Sequence, residues 1–314
     1  MNAVKSLNRK ARITKVIVII LIVIFLLPVL NYFKSSLPGD SIYSFEENIG
    51  VTNSNYTFYN NKSTKFNLLS SKAILEPNDI IKFLDVKLFH EIEDRNISLL
   101  ALDAFYNQSE ERINFANGLF VKDNMEMDIY TSKAEYYFKN NILFGRDNII
   151  FKNKFSSLTS ESFKIDFTKY NYLFYNNVNF SFKDNVRKAE LYGGSLEIND
   201  INNVITVIEE PIYYEEELNI NADKIILKYK EVLNKIELTE LQASNNVVIK
   251  HISTTLLGNE AIFYPDRNIL VLENEVKITR AKNTIKGEKI IYNLNDGVIK
   301  ILKVKDQKLD LDFQ

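Results

Sequence analysis

The chain has 314 residues, of which 46% are apolar and 25% are charged, a composition typical of globular rather than disordered proteins. Its net charge of −2 provides no overall basic field of the kind that nucleic-acid-binding domains carry. The absence of cysteine excludes disulfide bonds and thiolate metal sites.

The first predicted element is an apolar segment near the start of the chain. Residues 16–33 read VIVIILIVIFLLPVLNYF and contain no charged side chain. As a helix they span about 27 Å, close to the hydrocarbon thickness of a bilayer. Basic residues precede the segment, which predicts that residues 1–33 are a cytoplasmic stub and a transmembrane anchor, with the bulk of the chain on the other side of that membrane. A cleaved signal peptide is the alternative, although no small-residue cleavage site follows.

A linker is predicted for residues 34–65, which begin rich in serine and asparagine. The YTFYNN stretch at 56–61 alternates aromatic and polar residues, which favours a first edge strand near the end of this linker.

From residue 66 to the end, one short pattern recurs about every 30 residues. An aliphatic residue is followed two positions later by a small residue, and three positions after that by another apolar or small residue. The copies begin at Leu68, Leu99, Ile129, Leu158, Leu191, Ile220, Leu256 and Ile285.

Each copy predicts two antiparallel strands with one apolar face, because apolar residues alternate on both sides of the small residue. The three-residue step after the small residue reverses the alternation, so we expect a bend or bulge there. An apolar face this long must be covered. The predicted fold is therefore all-β: an elongated antiparallel jelly roll or solenoid-like trough of about eight two-strand repeats, behind one membrane helix.

The stretch YTFYNNKSTKFNLLSSKAILEPNDIIKFLDVKLF, continued by NISLLALDAFY and MDIYTSKAEYYFKNNILF, resembles the membrane-anchored C component (LptC) of the lipopolysaccharide-export bridge. From about residue 187, copies such as GNEAIFYPDRNILVLENEV resemble the soluble A component (LptA, or OstA-like) of the same bridge. The resemblance implies a C-component-like jelly roll over residues 66–200 and an A-component-like extension over 201–314. The usual C component lacks such an extension.

The function that this resemblance implies is transport of lipopolysaccharide from the inner toward the outer membrane, with acyl chains shielded in an apolar trough. The implied partners are the lipid, an inner-membrane ABC-type extractor, and soluble or outer-membrane bridge proteins that add strands at open edges. The residues expected to line the trough are the inward-facing members of the repeats: Leu99, Ala101, Ala104, Ile129, Thr131, Ala134, Tyr136, Leu158, Ser160, Phe163, Ile165, Leu191, Leu196, Ile220, Ile225, Leu227, Leu256, Ala261, Phe263, Ile290 and Tyr292.

The tail KLDLDF at 308–313 alternates Leu309, Leu311 and Phe313 with charged residues. This pattern predicts an edge strand that either docks a partner or closes the last repeat, and the sequence leaves both interpretations open.

Two other classes of function compete with lipid transport. A membrane-anchored structural scaffold or adhesin would use the same inward residues to fill a solid core. An enzyme is not indicated: no cofactor-binding motif is present, and the two histidines, His90 and His251, lie far apart. The acidic neighbours of His90 and the run EEPIYYEEE at 209–217 are interpreted as solvated rather than metal-binding.

Overall fold

The computed structural model describes residues 50–59, 65–92, 95–124, 126–183, 187–232 and 236–303. All of them belong to one compact unit that covers residues 49–314. Apart from one 3₁₀ turn at Pro77–Asp79, their regular structure is β-sheet, which confirms the all-β prediction. The strands are β1 Gly50–Tyr59, β2 Lys65–Glu76, β3 Ile80–Ile92, β4 Arg95–Asn107, β5 Arg112–Asp123, β6 Asp128–Thr131, β7 Ala134–Tyr137, β8 Ile142–Gly145, β9 Ile149–Lys152, β10 Ser156–Ser160, β11 Ser162–Asp166, β12 Asn171–Lys183, β13 Lys188–Asn199, β14 Val204–Ile208, β15 Ile212–Glu215, β16 Leu218–Asn221, β17 Lys224–Glu231, β18 Ile236–His251, β19 Thr254–Tyr264, β20 Ile269–Arg280, β21 Asn283–Asn293 and β22 Ile299–Lys303.

The strands form one antiparallel meander. We call each crossing of the sheet by the chain a pass, and successive passes pair with each other. Some passes are split at their middle into two short strands. For example, β6 and β7 together follow β5, and β10 and β11 together precede β12. Pairing runs without interruption from β1 to β22, so the expected boundary near residue 200 falls at a turn between paired strands.

The sheet is folded on itself along a line through the middle of each pass, which we call the corner. Layer one contains β6, β9, β10, β15 and β16, layer two contains β7, β8, β11, β14 and β17, and the long strands contribute to both. Rings from the two layers meet inside. The Phe66 and Tyr136 ring centroids are 6.1 Å apart, and those of Phe151 and Tyr172 are 5.9 Å apart. This closure agrees with the predicted jelly-roll-like architecture.

The recurring sequence pattern marks the corner on every second pass. Leu158 and Phe163 are both buried although they lie five positions apart, and the same holds for Leu256 and Ala261. An odd step returns both halves of the strand to the interior only if the backbone bends between them. The predicted reversal of the apolar alternation at the small residue is therefore confirmed.

The extra residues of the bulges, however, lie on the intervening passes rather than beside the small residues. In the β12–β13 ladder the register shifts between Tyr175 and Val178, and the unpaired Asn176 and Asn177 have φ of 62° and 51°. Asn245 and Asn246 do the same in β18, with φ of 63° and 51°. Asparagine tolerates the left-handed region better than most residues, which explains its abundance at these positions.

Side chains also tie neighbouring passes together at the corner. Ser71 Oγ donates to Asp85 Oδ2 at 2.7 Å, and Asn246 Nδ2 donates to Asp223 Oδ2 at 2.9 Å. Equivalent bonds join Asn117 to Asp103, Ser132 to Asp147, and Asn177 to Glu161. The bend is thus held by polar contacts on its outer side and by apolar packing on its inner side.

Position 145, at the end of β8, is packed so closely that it leaves no room for a side chain larger than that of glycine. A Cβ atom there would lie 2.3 Å from Cε1 of the buried Phe163 ring. We expect Gly145→Ala to lower the free energy of unfolding by about 1–3 kcal/mol in urea titrations, because an overpacked core must shift. Gly258→Ala is the control, since its Cβ would meet nothing closer than 3.4 Å. Equal losses in the two variants would contradict this account.

Among the described residues, no helix has the length and apolarity needed to cross a membrane. The predicted anchor at 16–33 lies outside those residues, as does the predicted edge strand at 308–313.

Candidate functional site

The interior between the layers is one continuous apolar core from Phe66 to Tyr292. Of the residues predicted to face inward, all except Ala101 are buried, and Ala101 is half-buried at the corner. The pattern therefore predicts their orientation correctly. Contact with lipid stays a prediction.

Much of this interior is filled by protein. Tyr136, Phe163, Phe174 and Tyr213 are fully buried, and Leu158 and Leu191 have no exposed surface. Most of the predicted lining residues are thus packed against other side chains and do not face an open trough.

The interior opens at the side opposite the corner, where the turns at the strand ends of the two layers approach each other. We call this side the mouth. A cavity of about 70 Å³ lies there, with Phe151, Phe180 and Phe182 from layer one facing Ile198, Ile205, Leu227 and Leu238 from layer two. Of the predicted lining residues only Leu227 borders this cavity.

The other lining residues were not predicted, because they lie away from the small residue that marks each repeat. The signal was nevertheless present. Phe180 and Phe182 continue the alternation of β12 toward the strand end, and Leu238 lies near the start of β18. The strand ends border the opening, whereas the positions beside the bend are covered by both layers.

Polar groups border the cavity on one side. Tyr229 OH donates to Asp200 Oδ1 at 3.1 Å, and both residues border the cavity. Asp200 keeps exposed surface, but partial loss of water where its carboxyl borders the cavity raises its pKa, while the hydrogen bond from Tyr229 opposes the rise. The same desolvation raises the pKa of Tyr229, so the phenol remains protonated and donates. The cavity thus has an apolar wall and a polar margin, a combination that suits an amphipathic ligand.

Two arginines cross the mouth and are neutralised by carboxylates. The Arg95 guanidinium forms a buried ion pair with Asp123, in layer one, and its Nη1 donates to Tyr172 OH in layer two at 2.6 Å. Arg187 Nη1 pairs with Glu215 at 2.9 Å, and its Nη2 donates to Asn268 Oδ1 of layer two at 2.9 Å. Glu215 is buried, so the interpretation of 209–217 as a wholly solvated run is wrong at this residue. Burial of a strand-end carboxylate is possible because Arg187 compensates its charge.

The two histidines join the layers and are not solvated. His90 is buried, and its Nδ1 lies 2.6 Å from Tyr136 OH, while Nδ1 of His251 lies 2.9 Å from Tyr292 OH. His90 therefore does not belong to the solvated turn that its acidic neighbours suggested. In the described part of the chain no group of three histidine, aspartate or glutamate residues is arranged to hold a metal ion.

Burial lowers the pKa of His90 to about 3, so its imidazole is neutral in the folded protein near neutral pH. The unfolded chain takes up a proton below about pH 6.5 that the folded chain does not, so stability should fall as pH falls from 6.5 toward 3. We expect a loss of about 2 kcal/mol in the free energy of unfolding between pH 6.5 and 5 in urea titrations.

The matched variant is His90→Gln. Its amide does not titrate, so the free energy of unfolding should depend less steeply on pH over the same range. A residual slope of the same sign is expected from His251, whose pKa burial also lowers. An unchanged slope in the variant would contradict this assignment.

A second concave surface lies outside the two layers, beside the corner. It has a volume of about 650 Å³ and is bordered by Leu100, Leu102, Phe120, Tyr130 and Ile150. The rings of Phe120 and Tyr130 stack with centroids 4.6 Å apart. The predicted lining residues Ala101 and Thr131 border this outer surface. Among the described residues, nothing covers it.

Part of the chain matches a known protein family. Residues 192–298 match the family described as LptA/(LptD N-terminal domain) LPS transport protein. This stretch is similar to that family. It begins within β13 and ends just before β22, so it includes the layer-two residues Ile198, Ile205, Leu227 and Leu238 of the mouth cavity. The predicted resemblance to the lipopolysaccharide-export bridge is supported at this level, whereas no comparison identifies a C component specifically.

The chain is similar to the crystal structure of LptH from Pseudomonas aeruginosa, which is described as the LptA homologous periplasmic component of the conserved lipopolysaccharide transport device. The two are 16% identical with a TM-score of 0.36, and the match covers 41% of this chain and 95% of that one. The search of curated proteins finds no match.

Proposed function

We propose that this protein carries lipopolysaccharide, or a lipid of that class, from the inner toward the outer membrane without catalysing a reaction. The observation that carries this proposal is that the layer-two wall of the mouth cavity lies in the stretch that matches a lipopolysaccharide-transport family. An acyl chain of about fourteen carbons would cost on the order of 10 kcal/mol to expose to water. An apolar cavity at the mouth would lower that cost.

In this proposal the small cavity is the closed state of a groove that widens when a lipid enters between the layers. The polar margin at Asp200 and Tyr229 would stay in water beside the head group. Open sheet edges would connect the protein to its neighbours, because β1 and β22 each pair on one side only within the described ranges.

The proposal also assigns a membrane anchor and partners to this chain. Residues 1–33 would hold the chain in the inner membrane as in a C component, with the bulk of the chain in the periplasm. There the chain would receive lipid from an ABC-type extractor and pass it to soluble or outer-membrane bridge proteins. Sequencing the mature N-terminus tests the anchor, since a start beyond residue 34 would identify a cleaved signal peptide instead.

The sharpest test of lipid transport compares two neighbouring positions on β12. A photo-crosslinking residue at Phe182 would face the mouth cavity, and one at Lys183 would face solvent. After irradiation of cells, lipopolysaccharide should be attached at position 182 and not at 183. A third crosslinker at Leu158 asks whether the deep interior also opens to lipid.

The second candidate is a structural scaffold with a solid core, which the fully buried aromatic residues favour. It predicts no lipid adduct at any of the three positions. Equal labelling at 182 and 183 would also contradict the transport proposal, because it would reflect nonspecific contact.

A further inference from the structure

Arg280, the last residue of β20, crosses the mouth like Arg95 and Arg187 but differs from them in charge compensation. Its Nε donates to Thr254 Oγ1 at 2.9 Å within layer one, and its Nη2 donates to the carbonyl oxygen of Gly297 at 2.8 Å beyond the end of layer two. Nη2 also lies 3.4 Å from Tyr292 OH. All three acceptors are neutral.

No described carboxylate lies within 4.0 Å of the Arg280 guanidinium, whereas Arg95 has Asp123 and Arg187 has Glu215 at such distances. Glu217 is near enough to act on the charge of His251, but it forms no ion pair with Arg280. Arg280 is half-buried, and its Nη1 donates to no described protein atom. A partly desolvated cation with a free N–H group favours an anion as its missing partner.

The surroundings hold the guanidinium in place. Gly297 adopts φ of +67°, and a Cβ atom there would lie 2.8 Å from Arg280 Nη2. The Tyr292 ring lies against the guanidinium, with 5.9 Å between Cζ and the ring centroid. Tyr292 is itself held by His251, through the 2.9 Å contact. The donor is therefore preorganised for a ligand.

We propose that Arg280 is the centre of an anion-binding subsite at the mouth, which takes a phosphate monoester. A guanidinium presents parallel N–H groups that match phosphate oxygens, and it keeps its charge at all physiological pH values. Tyr292 and Thr254 supply hydroxyl groups beside it. The inference rests on the proposed function only for the source of the phosphate, which would be the phosphorylated head of a lipid whose acyl chains enter the mouth.

The test measures the affinity of the purified full chain, in neutral detergent, for fluorescent bisphosphorylated lipid A and for its enzymatically dephosphorylated form. Arg280→Gln should weaken binding of the phosphorylated lipid about tenfold and leave binding of the dephosphorylated lipid unchanged, since one charge-assisted contact is lost. Arg280→Lys should retain part of the preference. Arg146→Gln is the matched control, because Arg146 is an exposed arginine at the corner.

Equal weakening for both lipids in Arg280→Gln would overturn the subsite and leave the proposed function intact. If the unaltered protein binds neither lipid, the proposed function fails. A second measurement then decides the subsite alone. Titration of the unaltered, ¹⁵N-arginine-labelled protein with inorganic phosphate should shift the Arg280 Nε–H resonance more than that of Arg146. This titration also serves if Arg280→Gln does not fold, and a larger shift at Arg146 would overturn the proposal.

Discussion

Replacing Arg95 with methionine should lower the free energy of unfolding by about 3–5 kcal/mol, because the buried carboxylate of Asp123 would lose the ion pair with Arg95. Both side chains of this ion pair are almost inaccessible, at 3% and 0% exposure. The variant also removes the hydrogen bond to Tyr172 across the mouth. Urea unfolding followed by tyrosine fluorescence measures the loss, since the chain has 17 tyrosines and no tryptophan.

Two controls separate the charge effect from loss of packing. The double variant Arg95→Met/Asp123→Asn should recover about half of the loss or more, because the amide is neutral and keeps an oxygen for the Met127 N–H group. Arg112→Met removes a more exposed arginine from Glu110 and Glu135 and should cost about 1 kcal/mol or less. If the double variant is no more stable than Arg95→Met, loss of the ion pair with Asp123 is not the cause.

Replacing Phe163 with alanine should lower the free energy of unfolding by about 3–5 kcal/mol, since a fully buried ring is removed and a cavity remains. Phe163 lies on β11, with its ring against Gly145, so the surrounding backbone has little freedom to collapse into the space. Lys164→Ala, at the next and exposed position, should change stability by no more than about 0.5 kcal/mol.

The same pair of variants tests the repeat. If Lys164→Ala destabilises the protein as much as Phe163→Ala does, then the inward and outward faces assigned from the alternation are reversed. If neither destabilises it, the interior is looser than the packing around Phe163 indicates. Either result would also weaken the expectation that a crosslinker at Leu158, on the same pass, faces the interior.

The sequence by itself determined the strand content, the inward face and the period of the repeat. Apolar residues that alternate along the sequence match the two-residue side-chain period of a β-strand and not the 3.6-residue period of a helix. The five-residue step from Leu158 to Phe163, and from Leu256 to Ala261, likewise required a bend, because a straight strand would expose one of the two. These features depend on neighbours within one pass of the chain, so local sequence contains them.

Only the tertiary structure decided where the interior is open, and which charges cross the opening. Arg95 meets Tyr172 across 77 positions, and Arg187 meets Asn268 across 81, so no local pattern connects them. His90 reads as part of an acidic turn, yet it is buried because Tyr136, on the opposite layer, accepts or donates the one hydrogen bond that satisfies Nδ1. The mouth cavity arises in the same way. Residues far apart in the chain meet only when the sheet folds over, and the space left between them depends on how their side chains pack.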